Sequence, residues 1–196
     1  MEKIKALPQL DFVSAVKLAA GRLTDFKGRS RRSEFWWWMA VVLVVKVAVA
    51  FILPPQSMLV SLILDVLIMA CALSVTARRL QDAGYHAIWV FLSFAFGIAT
   101  SVFQMTDKMV DFTTEYSAMI EHYGFRIQEA QVDGLMEEYA NTLMIFGALA
   151  LAWAITSLVV VILCLLDSKP KTNKYGPSPK YIMEDEEPQI IEKTDL

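Results

Sequence analysis

Residues 26–53 read FKGRSRRSEFWWWMAVVLVVKVAVAFIL. Four cations lead into three consecutive tryptophans, and the tryptophans lead into an apolar run. Basic residues beside aromatic ones can mark nucleic-acid binding, because arginine pairs with phosphate and tryptophan stacks on bases. They also mark a membrane boundary, where tryptophan collects at the headgroup level and Lys/Arg collects just cytoplasmic of it. The residues after Trp38 decide between the two. The run 35–53 is broken only by Lys46 before Pro54 and Pro55, and about 20 such residues span a bilayer as a helix. Nothing basic and soluble is left to form a nucleic-acid groove.

The same pattern recurs along the chain. The protein has 196 residues, 56% of them hydrophobic, against a soluble norm of about 45–50%. Three further apolar blocks lie at 57–77, 85–103 and 141–166. No alternating barrel pattern is present, so helices are the expected spanning form. The expected architecture is all-α: an integral membrane bundle of four transmembrane helices, 35–53, 57–77, 85–103 and 141–166.

Charge orients the bundle. Residues 1–34 carry eight Lys/Arg, the turn 78–84 carries Arg78 and Arg79, and 167–181 carry four lysines. Loop 104–140 has two basic residues against eight acids. Positive charge alternates with its absence in step with the spans. The positive-inside rule then places both termini in the cytoplasm and loop 104–140 outside. A cleavable signal peptide is not expected, because the first 34 residues are too charged.

Outside the spans, residues 9–24 have Leu10, Val13, Ala20 and Leu23 at helical spacing, with Lys17 and Arg22 among them. This suits a helix in the membrane surface, or one packed on the cytoplasmic turns. Loop 104–140 is too long for a simple turn. Its apolar spacing predicts an extracytoplasmic helical hairpin broken near Tyr123 and Gly124, with the second helix able to run into the last span. Residues 182–196 are acidic and expected to be disordered. The domain reading is therefore 1–34, a cytoplasmic amphipathic helix and basic motif; 35–181, the transmembrane domain; and 182–196, a tail.

Three cytoplasmic stretches share a pattern: FKGRSRRSEFWWW, VTARRLQDAG and CLLDSKPKTNKYGPSPK. Together they resemble the bacterial membrane family called domain of unknown function 805. The matching positions are Gly28, Arg29, Arg32, Glu34, Phe35 and Trp36 at the start of the first span. Arg78, Arg79, Leu80 and Asp82 come after the second, and Asp167, Asn173, Tyr175, Gly176, Pro177 and Pro179 after the last. The chain has Gln81 where that family usually has His, and its loop 104–140 is longer than usual. The resemblance implies a small multi-pass protein of the bacterial cytoplasmic (inner) membrane. It implies no chemistry.

Two constellations are candidates for function. Arg29, Arg31, Arg32, Arg78 and Arg79 leave the membrane on one side, near Glu34, Asp82 and Asp167, and Arg29, Arg32, Arg78 and Arg79 are the candidate binding residues. They serve either as topology signal and salt-bridge clamps, or as a site for anionic lipid headgroups or an acidic partner segment. The second constellation is Lys46 with Asp65. Charges inside a span cost roughly 2.5–3.5 kcal/mol each. Both residues lie equally far from the turn at Pro55 and Gln56, roughly 14 Å along each helix at about 1.5 Å per residue. An intramembrane ion pair is expected, either a clip between spans or part of a small transporter or channel subunit.

The remaining chemistry is sparse. Cys71 and Cys164 lie in apolar blocks and read as buried thiols. His86 and His122 fall on opposite sides of the membrane and cannot share a metal. No Ser, Cys or His arrangement resembles a nucleophilic triad. The expectation is a non-enzymatic membrane protein without cofactor or metal. Its expected partners are membrane lipids, a protein at the cytoplasmic face or a second copy of itself.

Overall fold

The computed structural model describes residues 4–52, 58–124 and 129–183. In chain order they form β1 (Ile4–Ala6), α1 (Phe12–Ala20), α2 (Arg32–Ile52), α3 (Met58–Asp82), α4 (Ile88–Phe103), α5 (Asp107–Tyr123), α6 (Glu129–Glu138), α7 (Ala140–Leu165) and β2 (Tyr181–Met183). Arg32–Ile52, Leu59–Asp82 and Ala140–Leu165 are each long and apolar enough to cross a membrane. Few of their residues are buried within the protein, and Leu43, Val44, Phe51, Leu59, Leu67, Leu151 and Leu158 are exposed. A surface this apolar belongs in lipid rather than water. The chain is a multi-pass helical membrane protein.

The third expected span, 85–103, changes most. Helix α4 begins only at Ile88 and has 16 residues, about 24 Å at 1.5 Å per residue against a hydrocarbon thickness of about 30 Å. It reaches spanning length only together with α5, from which it is bent by 65°. The preceding residues form the turn out of α3, where Tyr85 N–H donates to Leu80 C=O and Gly84 takes φ +87°. Helix α3 in turn runs past the expected end at 77 as far as Asp82. Its last turn is buried and paired rather than solvated.

The helices pack as two pairs, α2 with α3 and α4 with α7, joined through α3. The core lies at one end of the bundle, where Phe35, Trp38 and Val42 of α2 meet Ala72, Val75 and Leu80 of α3, Val90 of α4 and Cys164 of α7. Phe35, Trp38 and Val42 share one helical face by their spacing. Trp36 and Trp37 face outward. Trp38 Nε1–H also donates to Cys71 C=O at 3.0 Å, tying α2 to α3.

Helix α1 packs along α2 through the buried Ala15 and Ala19. Asp11 caps it by accepting from Ser14 N–H at 3.2 Å. Phe12, Val13 and Leu18 remain exposed, and the Phe12 ring meets Trp37 edge-on at 5.3 Å. In loop 104–140, α5 stops at Tyr123 and Gly124 takes φ +54°. Only Tyr139 separates α6 from α7. The Tyr139 hydroxyl donates to Glu115 at 3.0 Å, which ties α5 to the start of α7.

The fold is all-α as expected, with one small strand pair added to it. Strands β1 and β2 pair antiparallel, with Lys5 opposite Ile182, and Leu7 N–H extends the ladder to Lys180 C=O at 2.8 Å. Ile182 and Met183, expected in a disordered tail, are therefore in a strand. The apolar triplet Tyr181–Met183 finds a partner edge in the N-terminal arm. Residues 184–196, the rest of that expected tail, lie outside the described residues.

Candidate functional site

Below the core, three guanidiniums are buried in one polar layer. Gly28, at φ +95°, turns the chain so that Arg29 enters between the ends of α3 and α7. Arg29 Nε donates to Asp82 Oδ1 at 2.8 Å. Its Nη atoms donate to the carbonyls of Asp82, Lys169, Lys171 and Gly176. Arg79 Nη1 donates to Asp82 Oδ2, while its Nε and Nη2 donate to the carbonyls of Cys164 and Leu166. The Ser168 hydroxyl also donates to Asp82 Oδ2. Arg78 donates to Glu34 Oε1 at 3.2 Å and to the carbonyls of Arg22 and Asp25.

Asp82 is thus a shared acceptor for two arginines and a serine. The side chains of Arg78, Arg79, Arg29, Glu34 and Asp82 are all at most 2% exposed. Three buried cations face two buried carboxylates, leaving one positive charge in excess. The carbonyls at the C-terminal ends of α3 and α7 offset it, since a helix C-terminus carries partial negative charge. Arginine suits this layer because its planar fork reaches several acceptors at once.

The segment after α7 closes the layer. Lys169 N–H donates to Asp82 C=O at 3.3 Å. Asn173 and Gly176 exchange two backbone hydrogen bonds, with Gly176 at φ +123°. Asn173 Nδ2 donates to Gln81 C=O, its Oδ1 accepts from Tyr175 N–H, and Gln81 Nε2 donates to Phe26 C=O. Asp167 accepts from Lys180 Nζ at 2.7 Å and from the Tyr181 hydroxyl. These contacts hold the Asp167 carboxyl below its ordinary pKa, Lys180 being the largest cause. The Lys180 ammonium is correspondingly raised, chiefly by Asp167. Beyond Gly176, Pro177 and Pro179 lead toward β2.

The structure therefore separates the four arginines singled out from sequence. Arg29, Arg78 and Arg79 direct their donors inward. Arg32 is exposed and makes no ion pair or side-chain hydrogen bond among the described residues. It lies at the start of α2 in a groove of about 430 Å³ lined by Leu7, Pro8, Gln9, Arg31, Ser33, Trp36, Trp37 and Lys180. Arg31 is held there through the carbonyls of Pro8 and Pro179. Arg31, Trp37 and Lys180 were not among the expected binding residues. The first two stand in the basic-aromatic run itself, whereas Lys180 is brought over by the β1–β2 pairing.

Lys46 Nζ lies 3.2 Å from Asp65 Oδ1, between α2 and α3. Of the histidines, His86 Nδ1 accepts from Ile88 N–H and the His122 ring lies against Tyr123. Both cysteines are free thiols.

The family described as "Protein of unknown function (DUF805)" matches residues 23–177. The chain belongs to this family. The DUF805 match covers the buried layer from the carbonyl of Asp25 to that of Gly176, with only the Arg22 carbonyl falling just outside it. It leaves β1, α1 and β2 outside, and with them Lys180 and the Leu7–Gln9 wall of the groove. No curated protein and no solved structure matches the chain.

Proposed function

We propose that this is a non-enzymatic protein of the bacterial inner membrane that binds anionic lipid headgroups in the groove around Arg32. In this reading the chain crosses the bilayer four times, with both termini and the arginine layer in the cytoplasm. Helix α4 serves as the short third span and α5 and α6 lie outside. The charge alternation of the loops supports that orientation.

One observation carries the binding reading: Arg32 is an exposed cation, unpaired among the described residues, beside Trp36 and Trp37. The groove adds Arg31 and Lys180 and opens at the N-terminus of α2, whose free N–H groups favour an anion. Tryptophans at headgroup depth and basic pockets at the cytoplasmic side are the elements of headgroup recognition. Arg29, Arg78 and Arg79 hold the groove's walls in place rather than touching the lipid.

The test is native mass spectrometry of the protein extracted with its surrounding lipid, comparing wild type with Arg32→Ala. Retention of an anionic lipid by wild type and its loss from the variant, with unfolding temperature unchanged, is the expected result. Equal lipid on both would remove the site. A co-purifying protein lost on the same change would assign the groove to a partner instead.

A second reading, a small transporter or channel subunit, is favoured by a different observation. The Lys46–Asp65 pair lines a cavity instead of being sealed between helices.

A further inference from the structure

Lys46 of α2 and Asp65 of α3 form part of the wall of a cavity of about 220 Å³ that α4 and α7 complete. If the pair were only a clip, its charges would be best sealed against each other. Here 40% of the Lys46 side chain and 51% of the Asp65 side chain remain uncovered by protein. The facing wall comes from α4 and the residue just after it, and sets Ser93, Thr100, Ser101 and Gln104 among the apolar Phe94, Gly97 and Ile98. The hydroxyls of Thr100 and Ser101 donate to the carbonyls of Phe96 and Gly97, so each keeps acceptor capacity. Trp153 of α7 enters beside Gly97, where an added Cβ would sit 3.1 Å from its indole nitrogen.

The cavity also has a route outward. A second space of about 120 Å³ shares Leu62, Asp65, Ser101 and Gln104 with the first and adds Ser61 and Met105. Ser61 lies near the start of α3, and Gln104 and Met105 come just after α4, at the end of the bundle away from the arginine layer. Polar groups therefore run from that end down to the ion pair.

We propose that this cavity binds a small zwitterion, an ammonium joined by a short frame to a carboxylate or phosphate. The argument is one of charge balance. The site sums to zero, so a ligand with net charge would leave one charge uncompensated at low dielectric. A zwitterion exchanges one ion pair for two, its anion against Lys46 and its ammonium against Asp65. The hydroxyls and the Gln104 amide supply the remaining hydrogen bonds. Two sources carry this chemistry: a free amino acid from the aqueous phase, or the phosphoethanolamine headgroup of a neighbouring lipid. The inference is independent of the Arg32 groove.

The experiment uses the full chain in phosphatidylglycerol nanodiscs, which supply no ammonium. In one arm glycine, β-alanine and γ-aminobutyrate are titrated and binding is followed by calorimetry. In the other, phosphatidylethanolamine is added and its retention is read by native mass spectrometry. The comparison protein is Lys46→Met/Asp65→Leu, which removes both charges together and strands neither. The swap Lys46→Asp/Asp65→Lys keeps a reversed pair and serves as the folded control. Saturable binding in the first arm, weakened at least tenfold in the neutral variant, assigns a free solute. Retention in the second arm, lost in the neutral variant, assigns the headgroup. Binding in neither arm, or equal binding by wild type and the neutral variant, overturns the proposal.

Discussion

Arg29 and Asp82, 53 positions apart in sequence, meet at 2.8 Å with both side chains essentially sealed from solvent. The same carboxylate also accepts from Arg79 and Ser168. One side chain thus ties together the entrance to α2, the end of α3 and the segment after α7.

Neutralising that carboxylate leaves two buried guanidiniums with their shared anion gone. Asp82→Asn should therefore destabilise the protein by about 3–5 kcal/mol, the usual consequence of breaking a buried pair from one side. Thermal unfolding in nanodiscs measures it. A change below about 1 kcal/mol, the scale of an exposed pair, would show that Asp82 is not the hub.

Arg79 and Arg32 should respond in opposite ways. Arg79→Lys loses the fork that reaches Cys164, Leu166 and Asp82 at once, so even this charge-preserving change should lower the unfolding temperature by several degrees. Arg32→Ala removes no partner among the described residues and should stay within about 0.5 kcal/mol of wild type. Side-by-side melting curves separate the two, and equal losses would contradict the division between inward and outward arginines.

Gly84 and Gly147 make a second contrasting pair. At Gly84 the backbone is at φ +87° and a Cβ would lie 2.4 Å from the Lys169 side chain. Gly84→Ala should cost at least about 1–2 kcal/mol, the penalty of a left-handed conformation. Gly147 lies within α7 with nothing within 4 Å of its added Cβ. Gly147→Ala should be neutral or stabilising by up to about 1 kcal/mol. Unfolding temperatures of both variants provide the check.

The docking of β2 should depend on pH at both extremes. Asp167 has its folded pKa depressed, so its contribution is present above the unfolded value of about 3.9 and is lost as pH falls through the folded one. Lys180 has its folded pKa raised, so its contribution is full below the unfolded value of about 10.4 and is lost as pH rises through the folded one. Both side chains are partly exposed, at 50% and 31%, which limits the effect to about 1 kcal/mol or less. Amide protection of Leu7, whose N–H donates across the ladder to Lys180, corrected for intrinsic exchange, should be highest between these limits. Lys180→Met should flatten the profile.

The membrane-crossing character was legible because a bilayer imposes a length on apolar runs, and 35–53, 57–77 and 141–166 satisfy it plainly. Helix ends were less legible, and Arg78 and Arg79 show why. Adjacent arginines after an apolar block read as solvated flanks. Their partners here include the carbonyls of Cys164 and Leu166, atoms that every residue possesses and that leave no mark in a sequence. The meeting of Lys46 with Asp65 could be anticipated because the two stand equally far in sequence from the turn expected at Pro55 and Gln56, which implies equal depth. The β1–β2 pairing could not. Strands of three residues carry almost no periodicity, and their register depends on where α1 and the segment after α7 bring the two arms. The Arg32 groove was half visible: its tryptophans and arginines are contiguous, but Lys180 arrives only through that pairing.

The order in which the chain is made gives the arginine layer a history. The acceptors that Arg79 finds at Cys164, Leu166 and Ser168 lie 85, 87 and 89 residues downstream. At about 5–20 residues per second, that is roughly 4–18 s of translation. During that interval Arg29 and Arg79 have Asp82 but not the carbonyls between Cys164 and Gly176 that later surround them. The α2–α3 pair must wait with incompletely matched charges until α7 is in place. Final closure of this protein is therefore an event of late synthesis, and a chain interrupted before residue 164 is marked as unfinished by the cations it leaves uncovered.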